Sequence, residues 1–309
     1  MQQEVRVSTG RVQSALTGVS GVHVTPFTDA DAIDEAGLER VVADLAEAGI
    51  DNIVTGGNTG EFYALGLDEV RTVYRRAVAA VAGRAVVTAG VGRALRDAQA
   101  LAEAAARAGV DAIMIHQVPD PFASPRGVIA YTHAVAGVTG LPVVLYLRND
   151  NFSDGELADL VGHPRVAGVK YATPDPLRLA ARMRLPAGRE LLWLCGLAEL
   201  WAVPFAAVGA RGFTSGLVNV FPARSLAIRD ALAAGDFALA RRLAEEIAGF
   251  EALRAREANG ANVTVVKEAM RLLGHRVGAV RPPGTVALAS TQRTELQAIM
   301  QSWGLLAVR

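Results

Sequence analysis

Short β-rich runs alternate with amphipathic helical segments through most of the chain, and no other feature restricts its fold as tightly. The runs are Val22–Pro26, Asn52–Gly56, Ala85–Ala89, Ala112–His116, Pro142–Arg148, Val166–Tyr171, Glu190–Cys195 and Gly212–Ser215. Between them, Leu38, Val41, Val42 and Leu45 fall at i, i+3, i+4 and i+7, as do Ala98, Leu101, Ala102 and Ala105. That spacing is the apolar face of an α-helix. Glycine recurs where a helix must end before a buried strand, at Gly49, Gly109 and Gly209. Eight repeats of this kind predict an α/β fold, a (β/α)8 TIM barrel. The alternative is a doubly wound open sheet. It would carry a glycine-rich dinucleotide fingerprint after its first strand, and none follows Val22–Pro26.

Beyond Arg229 the strands stop, and Asp236–Arg256, Val263–Leu273 and Thr291–Trp303 read as helices. The Arg281-Pro282-Pro283-Gly284 breaker separates the last two. The expected organisation is an N-terminal tail over 1–18, the barrel over 19–235 and a C-terminal all-helical domain over 236–309. Such a helical end often supplies subunit contacts.

The 309 residues are 51% hydrophobic and 20% charged, so a large buried core is expected. Net charge is zero and no run of Lys and Arg occurs. The expected partner is therefore a small molecule, not nucleic acid or an anionic membrane. The opening residues lack the apolar core of a signal peptide, and no apolar stretch is long enough to span a bilayer. The single cysteine, Cys195, lies in an apolar run and reads as a small buried hydrophobe, which fits a cytoplasmic, reducing compartment.

In a barrel of this type the working residues project from the C-terminal ends of the strands. Three segments stand out there. In Val166–Tyr171, strand periodicity puts Val166, Gly168 and Lys170 on one face, and Gly168 leaves room beneath Lys170. The chain has only two lysines, Lys170 and Lys267, among 31 basic side chains. Arginine cannot release its proton to become a nucleophile, whereas a desolvated lysine can. An ordinary lysine reaching solvent from a strand end is the plainer alternative.

The second segment, Val54-Thr55-Gly56-Gly57-Asn58-Thr59-Gly60-Glu61, lets backbone N–H groups and the Thr59 hydroxyl converge on a carboxylate or phosphate. It could equally be a tight strand–helix turn. In the third, Tyr146 and Arg148 share a face with Val144 and reach the barrel mouth. A phenol there can shuttle protons and an arginine can clamp a carboxylate, although core packing and a solvated strand end would account for them too.

Taken together, these segments resemble the dihydrodipicolinate synthase / N-acetylneuraminate lyase family of Schiff-base-forming lyases. The likeness runs from Thr25-Pro26-Phe27 through Gly57–Glu61, Tyr146 and Val169-Lys170 to Gly212-Phe213-Thr214-Ser215-Gly216. It implies a (β/α)8 barrel with a C-terminal helical domain, a homo-oligomer (tetramer or dimer), and no metal or organic cofactor. Lys170 matches the imine-forming lysine and Tyr146 the acid/base tyrosine. Gly57, Asn58 and Thr59 match the turn that grips the 2-keto-acid carboxylate, and Ser215 falls in the strand-eight turn.

Departures bear on substrate. Members that make dihydrodipicolinate have a second hydroxyl where this chain has Asn58, a tyrosine in the region of His116–Phe122, and an arginine where it has Asn151. Tyr146-Leu147-Arg148 and the Asn-Thr-Gly-Glu-Phe stretch instead look like the 5-dehydro-4-deoxyglucarate dehydratase branch, with Arg148 and Asn149 toward the distal end of the substrate. Glu61 is expected to be a structural partner of its loop, and Glu199 a helix N-terminal charge. The expected activity is a dehydratase or aldolase of a keto-deoxy sugar acid, with 4-hydroxy-tetrahydrodipicolinate synthase as the alternative. A phosphate-binding isomerase or a non-catalytic keto-acid-binding barrel would not need Lys170 as nucleophile.

Overall fold

A computed structural model describes residues 10–285 and 287–307. Eight parallel strands close into a barrel in sequence order. They are β1 (Val19–Val22), β2 (Asn52–Thr55), β3 (Val86–Val91), β4 (Ala112–His116), β5 (Val143–Leu147), β6 (Val166–Tyr171), β7 (Leu192–Cys195) and β8 (Phe213–Ser215), and β8 pairs back onto β1. Local chemistry sets the intervening helices. Asp34 accepts the Gly37 N–H at 2.9 Å, and Ser153 and Glu156 form a reciprocal capping box. Gly49 and Gly109 close their helices at φ 86° and 87°.

The first strand lies earlier than the expected Val22–Pro26. Val24, whose alternation with Val22 suggests a strand, leaves the ladder. Its N–H donates to Asn219 Oδ1 at 3.1 Å and its side chain joins the apolar cluster of the C-terminal helices. A second correction concerns β6. Val143 pairs with Val166 but Val144 pairs with Gly168, so Ala167 is an extra residue in a bulge. Val166 therefore packs outward against the helix layer and does not share the face of Lys170.

Val22, Val54, Val86, Ala112, Met114, Val144 and Leu194 fill the barrel, and Val12 and Leu16 pack onto the same cluster. Those two belong to a helical segment, residues 10–16. Part of the expected N-terminal tail is thus an apolar plug at the N-terminal end of the strands; residues 1–9 lie outside the described residues. The space beside Gly168 is taken by Leu16, whose Cδ1 would lie 3.5 Å from a Cβ there.

After the last barrel helix, Pro222–Ala233, come helices Phe237–Glu245, Ala248–Arg254, Asn262–Leu272 and Ser290–Ser302. The single helix expected over Asp236–Arg256 is therefore two, broken at Glu246-Ile247. The last three share a cluster that includes Phe250, Val265, Val266, Met270, Leu296 and Met300, with Val24, Val41, Leu217 and Val220 contributed by the barrel, whereas Ala244 of the first packs into the barrel's own helix layer. Among the described residues no helix is long and apolar enough to cross a membrane.

Candidate active site

Lys170 and Tyr146 meet because they are register partners on β6 and β5, at the C-terminal ends of the strands. The rung continues to His116 on β4 and Leu194 on β7. Lys170 is 5% exposed, and its Nζ lies 4.0 Å from the centroid of the Tyr146 ring. Burial lowers the Lys170 pKa to about 8, with the Arg148 charge pushing in the same direction. At pH 7 a lysine with that pKa is about one-tenth neutral, against roughly three in ten thousand for an unperturbed one. The ring face favours the ammonium, so it offsets part of the burial effect. Cys195, on the neighbouring strand, has its thiol pushed up to about 12 by burial and stays protonated.

Tyr146 is itself buried, which raises its pKa, so the phenol keeps its proton. Asn58 Nδ2 donates to its hydroxyl at 3.5 Å. This bond links the rung to the turn after β2, a 3-10 turn over Asn58–Gly60. The N–H groups of Asn58 and Thr59 start that turn, so no earlier carbonyl within it is positioned to accept them. Thr59 is buried within the turn. Gly57 permits the close approach, since a Cβ there would sit 2.5 Å from Val22 Cγ1.

Glu61 ends the turn in the left-handed region at φ 60°, a conformation that costs about 1 kcal/mol or more outside glycine. Its carboxylate is held by Lys267 Nζ at 2.5 Å and by the Arg281 N–H at 2.8 Å. Lys267 is fully buried and also donates to Ala279 O at 3.0 Å. The second lysine of the chain therefore fixes the turn to the C-terminal segment. Glu61 is its structural partner, as expected.

His116 Nε2 donates to Gly56 O at 3.0 Å, and the ring stacks on Phe62 at 4.5 Å between centroids. Burial lowers its pKa to about 4, so it is neutral; a neutral ring facing a carbonyl donates. Arg148, exposed at the end of β5, has its main chain latched by Gln117 Oε1 at 2.7 Å and by the Thr173 hydroxyl. Nearby Asp150 is buried and bonded to Arg178, Arg182 and the Tyr171 hydroxyl, which holds the loop after β5 in place. Asn149 and Asn151 are exposed on that loop.

One expected residue sits elsewhere. Ser215 faces away from the barrel interior, and its hydroxyl donates to Glu199 Oε1 at 2.5 Å and approaches Ser225 Oγ at 3.2 Å. The inward residue of β8 is Thr214, the register partner of Ser20, whose hydroxyl accepts from Asn52 inside the barrel. Glu199 lies in the first turn of the helix Ala198–Ala207, as expected. It is wholly buried, and burial raises its pKa to about 7. Sequence reasoning also missed Gly196, where a Cβ would meet Lys170 Cγ at 3.0 Å. Among the described residues no group of three or more His, Cys, Asp or Glu side chains could hold a metal ion.

The site is thus a buried amine, a protonated phenol and a turn whose first N–H groups find no acceptor within it, side by side at the mouth of a barrel. Known proteins carry the same architecture. A "Probable 5-dehydro-4-deoxyglucarate dehydratase" of Methylobacterium radiotolerans is 31% identical over 289 residues, covering 92% of this chain and 94% of the relative. An N-acetylneuraminate lyase of Rhizobium meliloti is 33% identical over 233 residues, 74% of this chain and 77% of that one. A crystal structure of dihydrodipicolinate synthase from Oceanobacillus iheyensis superimposes with a TM-score of 0.92 at 37% identity, covering 96% of this chain and all of that one. Residues 15–303 match the Dihydrodipicolinate synthetase family, and the chain belongs to that family of lyases.

Proposed function

We propose that the protein is a Schiff-base lyase acting on a 2-keto acid, and in particular a dehydratase of keto-deoxy sugar acids such as 5-dehydro-4-deoxyglucarate. One observation carries this reading. The Lys170 amine is buried, has its pKa lowered to about 8, and lies 4.0 Å from the Tyr146 ring beside the Asn58–Thr59 turn.

In this reading the substrate carboxylate sits on the N–H groups of Asn58 and Thr59 and on the Thr59 hydroxyl, with Gly57 allowing the approach. Neutral Lys170 attacks the C2 ketone, and Tyr146 moves protons as the carbinolamine loses water to give the imine. The protonated imine is an electron sink. It acidifies C3; loss of that proton gives an enamine, which expels the C4 hydroxyl as water. Arg148 and Asn149 take the distal carboxylate and hydroxyls, since the Arg148 guanidinium is exposed and its charge acts on Lys170, Tyr146 and His116. Ser215 supports the strand-eight turn in this scheme and does not touch substrate. The scheme needs no metal or organic cofactor, and we take the chain to act as a cytoplasmic homo-oligomer with its C-terminal helices as a separate domain.

The dehydratase-named relatives favour elimination over condensation, and so does the amide of Asn151 where a semialdehyde-binding arginine would be needed. The test is to incubate the protein separately with 5-dehydro-4-deoxyglucarate and with pyruvate plus aspartate semialdehyde, reading products by mass spectrometry. Loss of water from the first is the expected result. Condensation of the second pair alone would make the protein a synthase, and turnover of neither would leave a keto-acid-binding barrel.

A further inference from the structure

The helix Ala248–Arg254 ends on an arginine that is 4% exposed. Its Nη1 donates to Glu251 Oε1 at 2.6 Å and its Nη2 to Asn262 Oδ1 at 2.9 Å. Its Nε is buried with no partner among the described residues. A guanidinium has five N–H groups, so this one is held firmly at one edge and retains donors on the other. The turn after β8 lies against Nη2, which carries a second N–H besides the one given to Asn262. A Cβ placed on Gly216 would come within 2.6 Å of Arg254 Nη2 and 3.2 Å of Thr59 Oγ1. Gly216 has φ −96° and ψ −20°, a conformation open to any residue. Glycine is needed here for space, and that space is where the Arg254 guanidinium and the Thr59 hydroxyl converge.

We propose that Arg254 is a positioning residue for the keto-acid carboxylate, reaching the Thr59 hydroxyl through the gap left by Gly216. A hydroxyl has one proton and two lone pairs. When Arg254 donates to the Thr59 oxygen, the hydroxyl proton is left to point at the carboxylate in the turn, and the fixed positive charge strengthens that bond. The C-terminal helices thereby contribute twice to the same turn: Lys267 holds Glu61, and Arg254 orients Thr59. This inference rests on the 2-keto-acid reading above.

The test is the concentration of ligand that half-saturates borohydride trapping, measured for pyruvate and for its uncharged amide, pyruvamide. Arg254→Met and Gly216→Ala are compared with the parent protein, with a melting curve for each. The alanine methyl displaces the guanidinium without straining the backbone. Both variants are expected to raise the pyruvate value about tenfold to a hundredfold, the range for one charge-assisted hydrogen bond, and to move the pyruvamide value less than about threefold. Equal shifts for both ligands mean a structural role only, and an unchanged pyruvate value in Gly216→Ala also overturns the proposal. If the parent protein is not trapped by pyruvate at all, the imine reading itself fails; if it is trapped and the variants match it, only the role of Arg254 falls.

Discussion

Replacing Glu61 by glutamine tests how the turn is held. The substitution keeps the shape and the acceptor for the Arg281 N–H, but it removes the negative charge 2.5 Å from the Lys267 ammonium. Lys267 is fully buried, and among the described residues its one other acceptor is Ala279 O. The variant must either keep an unpaired buried ammonium or fold with the amine neutral. Deprotonating an ordinary lysine at pH 7 costs about 4.6 kcal/mol, roughly 3.4 pH units at 1.36 kcal/mol each, and this caps the loss. Breaking one side of a buried pair costs about 3–5 kcal/mol, in agreement with that cap. For a chain of this size the loss corresponds to a drop in Tm of roughly 5–7 °C.

The pH dependence has a definite sign. Between the lowered folded pKa and about 10.4 the unfolded chain binds the proton that the folded chain has released, so stability rises with pH in that window. The deficit of Glu61→Gln should shrink from pH 7 to pH 9. The double variant Glu61→Gln/Lys267→Met removes both charges and should melt above either single variant. Thermal unfolding of the four proteins at both pH values decides the matter. A single variant within about 1 kcal/mol of the parent, or a double variant that sums the two losses, refutes the reasoning.

Three further outcomes follow from the site. The rate of imine formation should rise with pH through about 8, because the neutral Lys170 amine is the nucleophile; a stopped-flow or quench profile that is flat from pH 6.5 to 9 contradicts this. Tyr146→Phe should lower kcat by about 10²- to 10⁴-fold with little change in melting temperature, since only the hydroxyl and its 3.5 Å bond from Asn58 are lost. Arg148→Met should raise KM for a dicarboxylate substrate about tenfold to a hundredfold while leaving half-saturation by pyruvate within about threefold.

The barrel was legible because parallel strands buried on both faces read as short apolar runs between amphipathic helices, and seven of the eight runs mark their strands closely. The eighth, β1, contains Ser20 and Gly21, which carry little strand signal; Ser20 earns its place through the Asn52 hydrogen bond inside the barrel. Lys170 was visible because lysine is so scarce here, and Tyr146 because strand periodicity points it to the barrel mouth with Val144 and Arg148. Ser215 turns to Glu199 and Ser225 because successive residues of a strand face opposite ways and Thr214 takes the inward place. Val166 was misplaced because a bulge at Ala167 breaks the alternation; Gly168 beside it is the one local sign of that bulge. Arg254 lies 195 positions from Thr59, and nothing local to either residue links them. The helical plug over 10–16 was hidden for a related reason: two apolar residues, Val12 and Leu16, gain meaning only when the open end of a barrel lies beside them.

The central claim is that one particular amine carries the chemistry. Incubation with pyruvate and borohydride, followed by proteolysis and mass spectrometry, measures it directly, because the chain offers only two lysines to modify. The expected result is a single reduced pyruvate adduct on the peptide containing Lys170, absent from Lys170→Arg. An adduct on Lys267, or an undiminished adduct in Lys170→Arg, would contradict the account.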